Sequence, residues 1–343
     1  MARSTNNGSR PRLRIAIPSD GAMYEPTLAF LARAGMPIDR PSPRRYVAGV
    51  PAVDGVEVIL QRARDITAQV EQGNADVGFV GYDDYQERRV EAGQGVLLLK
   101  DLGFGRCELV VAVPDAWVDV ESMADLADLA VEFRESGREL RIVTKAPRLA
   151  QRFLFQNGVN YFSLPQVSGT LEAAPSMGYA DIIIDLTATG ASLRENRLKR
   201  LRDGTVLESE GCLIGNRDAL RSKPEVLEAA REVLERIEAR RQADAYCRVT
   251  ANVEGASEEA VAARVLERPE AAGLQGPTVA RVFTSGAGSW YAVTAFIERD
   301  RLSMVVDYLR AIGGVSVTVS QADYVFGQKS AAYHDLLANL GRG

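Results

Sequence analysis

The chain has 343 residues, 46% of them hydrophobic and 25% charged, with a formal net charge of −5. These values describe an ordinary globular chain, long enough for two domains or three, with no bulk attraction for nucleic acid or an anionic membrane. A single histidine, His334, excludes a multi-histidine metal site and leaves one ring for any Ser-His-Asp triad; three cysteines far apart (Cys107, Cys212, Cys247) exclude a zinc ribbon and a Cys-x-x-Cys redox pair, and their odd number argues against a disulfide framework.

Residues 1–12 are polar and basic and lack the apolar stretch of a secretion signal, so they are expected to form a disordered tail. No apolar run approaches the roughly 20 residues of a membrane helix. A cytoplasmic protein with reduced thiols is expected. The first strand is predicted over residues 13–18, ending in the loop Ser19-Asp20-Gly21-Ala22. A helix follows over 24–34, stopped by Gly35, then a Pro- and Arg-rich loop over 37–45 and a strand over 56–60. Residues 65–73 read as a short helix with Asp65 as N-cap and Gly73 as stop. Residues 75–81 read as a buried strand running into a glycine turn, with strands near 96–100 and 109–113 after it.

The alternation continues with a strand at 141–143, a helix at 147–156, a buried strand at 180–184, an extended segment at 205–214 and a long amphipathic helix at 223–241. Alternating strands and helices indicate α/β sheets covered by helices, here two lobes around a cleft. The last hundred residues change character. Strands at 247–253, 278–283, 290–297 and 315–319, with helices at 257–266 and 301–312 and a turn at 285–288, give the order βαββαβ of a ferredoxin-like module. It carries no polar constellation of its own, which favours a regulatory or structural role. No internal repeat or low-complexity tract is visible.

The segment that carries chemistry is Asp181-Ile182-Ile183-Ile184-Asp185-Leu186-Thr187-Ala188-Thr189-Gly190-Ala191-Ser192-Leu193-Arg194. An apolar strand ends at an acid, a turn rich in Thr, Gly and Ser follows, and a helix starts. Backbone N–H groups and hydroxyls converge at such a point and suit an anion. Gly190 admits a close phosphate, Thr187, Thr189 and Ser192 supply hydroxyls, and Asp185 sits where it accepts hydrogen bonds from a sugar. A phosphorylated sugar fits this combination. The plainer alternative, with Thr189 as an ordinary helix N-cap and Gly190 as a turn, carries equal weight on the segment alone. The Gly-Lys-[Ser/Thr] element of a Walker A loop is missing.

Three stretches together resemble a known family. They are Gly169-Thr170-Leu171-Glu172-Ala173-Ala174-Pro175 with Gly178-Tyr179-Ala180-Asp181 and residues 185–198; Asp65-Ile66 with residues 73–81; and Asp101-Leu102-Gly103-Phe104-Gly105 with Cys107-Glu108-Leu109 and Thr144-Lys145-Ala146-Pro147. In order and spacing they resemble the long form of ATP phosphoribosyltransferase, the first enzyme of histidine biosynthesis, from about residue 13 to 326. The resemblance implies an α/β fold of two periplasmic-binding-protein-like lobes, 13–112 plus 207–245 as lobe I and 113–206 as lobe II, followed by an ACT-like domain at 246–343. It implies a glycosyltransferase that joins N1 of ATP to the phosphoribosyl group of phosphoribosyl pyrophosphate, with Mg2+ on the departing pyrophosphate. Histidine as feedback inhibitor and assembly into dimers or hexamers are implied too.

On this resemblance Asp185 holds the ribose hydroxyls and Thr187, Ala188, Thr189, Gly190, Ala191 and Ser192 hold the 5′-phosphate. Glu172 orients ribose or metal, and Gly21, Arg62 and Lys145 meet the nucleotide or pyrophosphate. For Arg62 and Lys145 a solvated surface role is the alternative. No metal ligand and no histidine-binding residue is fixed. The reaction suits a chain with one histidine, because charge moves onto pyrophosphate and catalysis needs placement, metal, cations and N–H donors more than a nucleophile.

One loop departs from the family. Where Lys-Gly-Arg is usual after the first strand, this chain has Asp20-Gly21-Ala22, and Ala146 stands where Tyr is frequent. Two cations are lost and one carboxylate gained beside the expected nucleotide, and a close charge pair is worth up to a few kcal/mol. The acceptor half of the site is therefore the half in question. A paralogue using the same donor with another acceptor, and a non-catalytic ligand-binding homologue, stand as alternatives.

Overall fold

The computed structural model describes residues 12–166, 169–286 and 288–341. The tail expected over 1–12 lies outside them except for Arg12, as does Ala287 of the turn at 285–288. The chain divides into two compact units, Met1–Ala230 with Asp335–Gly343, and Arg231–His334.

The first unit opens with β1 (Leu13–Pro18), α1 (Tyr24–Arg33), β2 (Val47–Gly49), β3 (Val56–Gln61), α2 (Ala63–Glu71), β4 (Val77–Gly81), α3 (Tyr82–Arg88) and β5 (Gly95–Leu99). The chain then passes into β6 (Cys107–Pro114), α4 (Met123–Glu135), β7 (Leu140–Thr144), α5 (Pro147–Gln156), β8 (Phe162–Ser163), β9 (Ile182–Thr187), α6 (Ala191–Glu195) and β10 (Leu198–Ser209). It returns through β11 (Gly211–Asn216) to α7 (Arg217–Ser222) and α8 (Pro224–Ala245). Two sheets result, ordered β2-β3-β1-β4-β11-β5 and β10-β6-β9-β7-β8.

β6 and β11 run antiparallel to the strands on either side of them. Each is the first strand after a crossing, one at residues 100–106 and one at Glu210, so each lobe's sheet encloses a strand delivered from the other. This is a two-lobed, periplasmic-binding-protein-like arrangement. The crossings put β6 and β10 wholly in the second sheet, so the lobe boundaries at 112 and 207 shift to these two points. The extended segment at 205–214 is likewise two strands, which belong to different sheets.

Both faces of the second sheet, which is mixed, are covered. Leu109, Val111, Val113, Ile182 and Ile184 bury against α4 and α5 on one face, while Val110, Ala112 and Ile183 bury with Leu171, Ala174 and Leu193 on the other. Alternate residues of one strand thus serve two cores. α4 has no counterpart among the elements expected from periodicity, although a capping box announces it: the Asp125 N–H donates to Ser122 Oγ, and Asp125 accepts from the Ser122 N–H. The Asp65 N-cap is corrected. Arg62 holds the cap position without a side-chain bond, and Asp65 lies in the first turn of α2.

A repeat absent from the sequence pattern is present in the structure. Arg14 pairs with Asp76 through its N–H (2.9 Å), Nε (3.2 Å) and guanidinium (3.0 Å), and also donates to the Gly73 carbonyl at 2.7 Å. Arg141 makes the same set with Asp181 (2.8, 3.2 and 3.0 Å) and with the Gly178 carbonyl at 2.8 Å. The pairs are 62 and 40 residues apart, so no fixed period reveals them. Each clamp sets a parallel register that begins one residue later, Ile15 beside Val77 and Ile142 beside Ile182.

The second unit contains β12 (Tyr246–Glu254), α9 (Glu258–Leu266), α10 (Pro269–Ala272), β13 (Thr278–Val282), β14 (Trp290–Glu298), α11 (Leu302–Ala311), β15 (Val315–Ser320) and the start of α12 (Ala331–Asn339). Its sheet order is β13-β14-β12-β15 with all neighbours antiparallel, the ferredoxin-like arrangement. Cys247, Val249, Ala251 and Val253 bury with Val261, Val265, Val305 and Leu309. This compact unit takes in the second half of α8, from Arg231. No helix among the described residues is long and apolar enough to cross a membrane.

The clamps generate a stability test. Asp76→Ala removes a nearly buried acceptor from the part-exposed Arg14 and should cost about 2 kcal/mol in urea unfolding. Burial raises the Asp181 carboxyl, but hydrogen bonds from Arg141 and the charge of Arg138 outweigh it and hold the group below the ordinary range. Its stabilisation is present above the unfolded value near about 4 and is lost as pH falls through the lowered folded value. Wild type and Asp181→Asn should therefore differ at neutral pH and converge in acid.

Candidate active site

The carboxyl ends of parallel strands are where α/β sheets hold ligands, and the residues of interest gather there. β9 ends with Asp185 and Thr187, and β7 lies alongside it with Thr144 beside Ile184. That register sets Lys145, the next residue after β7, next to Asp185. Leu171 and Ala174, buried in the core under β9, pin the short turn Leu171–Ala173 that carries Glu172. Burial pushes the Asp185 carboxyl up; the Leu186 N–H, bonded to its Oδ1 at 2.9 Å, and the charge of Lys145 pull it down, while Glu172 raises it further. The net direction is upward. Three residues from separate stretches therefore share one electrostatic site.

The loop beyond β9 is tightly wound. Thr187 is buried, and its Oγ1 accepts from the Gly190 N–H at 2.9 Å. Gly190, at φ +71°, occupies the cap position of α6, and a Cβ there would lie 3.0 Å from the Arg194 guanidinium. Thr189 Oγ1 accepts from the Ala191 N–H at 3.4 Å, and its carbonyl accepts from Arg194 at 3.2 Å. Thr189 therefore does not occupy the cap position. Among the described residues no backbone hydrogen bond outside the helices and strands uses the N–H of Ala188, Thr189 or Ser192. These three N–H groups, with the Thr189 and Ser192 hydroxyls, are the loop's candidate donors.

Gly21 and Arg62 follow two neighbouring strands of the other lobe, β1 and β3. Pro18 pairs with Gln61 where β1 lies along β3, and the Ser19 N–H donates to the Gln61 carbonyl at 2.6 Å. Gly21 has φ +75° and open space around its would-be Cβ, and Arg62 is exposed. No hydrogen bond or ion pair among the described residues joins these two to the Asp185 group.

A cleft of about 440 Å³ opens beside Ala188 of the loop. Lys100, Asp101, Arg106, Cys107 and Glu210 line it, all from the crossings or the strand ends next to them. Sequence reasoning used Asp101 and Cys107 only as family markers and did not single out Glu208–Glu210, whose place is set by where β10 gives way to β11. The acidic start of α3 was missed too. Ser209 donates to Asp83 Oδ1 at 2.6 Å and accepts from the Asp83 N–H at 3.0 Å, and Lys100 lies 4.7 Å above the Tyr82 ring. The available signal was Gly81-Tyr82-Asp83-Asp84 directly after a buried strand.

Burial and the nearby Asp83 push the Cys107 thiol up to about 11, with a Ser209 hydrogen bond opposing, and burial also raises Cys212. Neither is a thiolate nucleophile at neutral pH. Among the described residues no group of three or more His, Cys, Asp or Glu side chains forms a metal site. What remains is a site of carboxylates, hydroxyls, N–H donors and cations.

Comparison with known proteins agrees. The family model for ATP phosphoribosyltransferase matches residues 62–239, and that for the HisG C-terminal domain matches 243–323. The chain belongs to the ATP phosphoribosyltransferase family. It is 36% identical to the chloroplastic ATP phosphoribosyltransferase 1 of Arabidopsis thaliana, over 97% of this chain and 82% of that one. It is 35% identical to ATP phosphoribosyltransferase of Nitrobacter winogradskyi, over 94% and 97%. A solved ATP phosphoribosyl transferase (HisG:HisZ) complex from Thermotoga maritima contains a chain that is 25% identical, with TM-score 0.51 over 66% of this chain and 98% of that one.

The raised Asp185 carboxyl gives a paired expectation for this family member. Its ionised form costs stability at neutral pH, and the cost disappears as pH falls below the unfolded value near about 4. Asp185→Asn keeps an acceptor for the Leu186 N–H and should raise the melting temperature at pH 7.5. The same variant should bind phosphoribosyl pyrophosphate at least tenfold more weakly by calorimetry, and unchanged donor binding would remove Asp185 from the site.

Proposed function

We propose that this protein transfers the phosphoribosyl group of phosphoribosyl pyrophosphate to N1 of ATP with release of pyrophosphate, the first step of histidine biosynthesis. The observation that carries the reading is the convergence of Glu172, Lys145 and Asp185 beside the loop 187–192, with membership of the family behind it. Thr189, Ser192 and the loop N–H groups hold the 5′-phosphate, with Gly190 leaving room for it. Asp185 accepts from the ribose hydroxyls, and its ionised form supports positive charge that develops on the ring. Lys145 meets the leaving pyrophosphate, and Glu172 orients the ribose. Gly21 and Arg62 serve the nucleotide side.

The lining of the cleft carries four carboxylates (Asp101, Glu108, Glu208, Glu210) and two cations (Lys100, Arg106). Polyphosphates entering such a space need their charge offset, and Mg2+ prefers one or two carboxylates together with substrate phosphates. We therefore assign Mg2+ to the donor substrate, which brings it in, and its chemistry there is to draw charge from the departing pyrophosphate. N1 of adenine attacks through its lone pair and carries no proton, so forming its bond to C1 as the bond to pyrophosphate breaks needs no general base.

The second unit is the seat we assign to histidine, as feedback inhibitor, and the chain is expected to act in the cytoplasm as a homo-oligomer, a dimer or hexamer. A second reading keeps the donor and changes the acceptor. Asp20 and Ala22 favour it, because both cations of the nucleotide loop are replaced.

Purified protein with ATP, phosphoribosyl pyrophosphate and Mg2+ should release pyrophosphate and form the adenine N1 adduct, with millimolar histidine lowering the rate. Donor binding without turnover of ATP would favour the second reading, and binding of neither substrate would defeat both. The loop itself is tested by Asp20→Lys, which should lower KM for ATP severalfold while leaving donor affinity unchanged.

A further inference from the structure

α3 leaves the first lobe's β4 directly and is held at both ends by the second lobe. At its start, the Asp83 N–H and carboxylate are both bonded to Ser209, the last residue of β10, and the Tyr82 N–H donates to the Glu210 carbonyl at 2.9 Å. At its far end the contacts reach α5, which follows Lys145 by two residues. The Arg148 N–H donates to Glu87 Oε1 at 3.0 Å and the Leu149 N–H to Glu87 Oε2 at 2.9 Å. The Arg148 guanidinium donates back to the Arg89 carbonyl at 2.8 Å and to the Gln86 carbonyl.

Each helix thus supplies the other's missing cap. α5 starts at Ala146 and Pro147, with no side chain of its own on its first N–H groups, and α3 ends at Arg89 with carbonyls to be satisfied. A carboxylate on N–H groups at a helix start and a guanidinium on carbonyls at a helix end are both favourable, and both are charge-assisted. Neither helix completes its end without the other lobe. The covalent connections between lobes are only the crossings at 100–106 and at Glu210, so a second, non-covalent tie away from them fixes the angle about those crossings.

We propose that α3 is an inter-lobe brace, with Glu87 and Arg148 as positioning residues that hold the Lys145 loop of the second lobe in register with the nucleotide loop of the first. The donor loop 187–192 lies wholly within the second lobe and does not need the brace. The acceptor must be held by one lobe against a donor held by the other, so loss of the brace falls on acceptor alignment. The kinetic part rests on the proposed function; the geometric part does not.

The test uses the full chain with Glu87→Ala, Arg148→Ala and the double variant. In each, donor affinity by calorimetry should stay within twofold of wild type, KM for ATP should rise at least fivefold and kcat should fall at least tenfold. The double variant should be no worse than the worse single one, because both contacts form one device. Unchanged kinetics, or equal loss of donor and acceptor binding that tracks a fall in melting temperature, would overturn the proposal. Lobe orientation is read separately, by electron-spin distance measurements between nitroxides at Arg64→Cys and Glu132→Cys, diluted with unlabelled chain. A distance distribution that broadens or shifts in Glu87→Ala supports the brace even where ATP proves not to be the acceptor, and an unchanged distribution overturns it whatever the acceptor is.

Discussion

Two carboxylates, Asp76 and Asp181, set the geometry on which both lobes depend. Each takes three hydrogen bonds from an arginine at the start of a neighbouring strand, and each arginine also binds a carbonyl three residues before the aspartate. A parallel pair has no hairpin to fix its register, so a clamp at the strand entry does that work. Once the entries are aligned, the exits are aligned too, a few residues further on. In the second lobe the exits are Lys145 and Asp185, and their proximity follows from a contact at the opposite end of the sheet.

The site is then defined by competition between burial and charge. Asp185 is held where burial opposes its ionised form, and Glu172 adds to that opposition while Lys145 only partly relieves it. A carboxyl held in this state costs stability where it stands, and such groups gather at functional sites. The thiols follow the opposite rule. Burial keeps Cys107 and Cys212 protonated and makes them inert packing groups. A transfer whose charge moves onto a departing pyrophosphate asks for placement and compensating charge more than for a thiol nucleophile.

Much of the fold was legible in the residues. Strands such as 13–18 and the helix at 147–156 carried their periods plainly, because burial on a sheet or helix face writes a period of 2 or 3.6 into the chain. The βαββαβ order of the last hundred residues was legible for the same reason. The Asp185–Ser192 loop stood out because strand, acid, Thr-Gly turn and helix occur in sequence within fourteen residues. Other features escaped. α4 was marked by its Ser122–Asp125 cap but by little else, and β10 and β11 read as one extended piece because a single residue, Glu210, separates two strands of different sheets. Asp65 looked like a cap from its residue type, yet backbone angles place the cap at Arg62.

The sequence by itself determined the family and the chemistry that one histidine excludes, and it marked the loop 185–192, since all of these reside in local pattern, residue type and spacing. Only the tertiary structure decided which residues share a site. Glu172 in the field of Asp185, Pro18 paired with Gln61, Asp83 on Ser209 and Glu87 capping α5 join segments 13 to 126 residues apart. Register and crossing points create them, and neither is written in any single stretch of chain: the register depends on an arginine meeting an aspartate 40 or 62 residues away, and the crossings depend on which sheet has an open edge for the arriving strand.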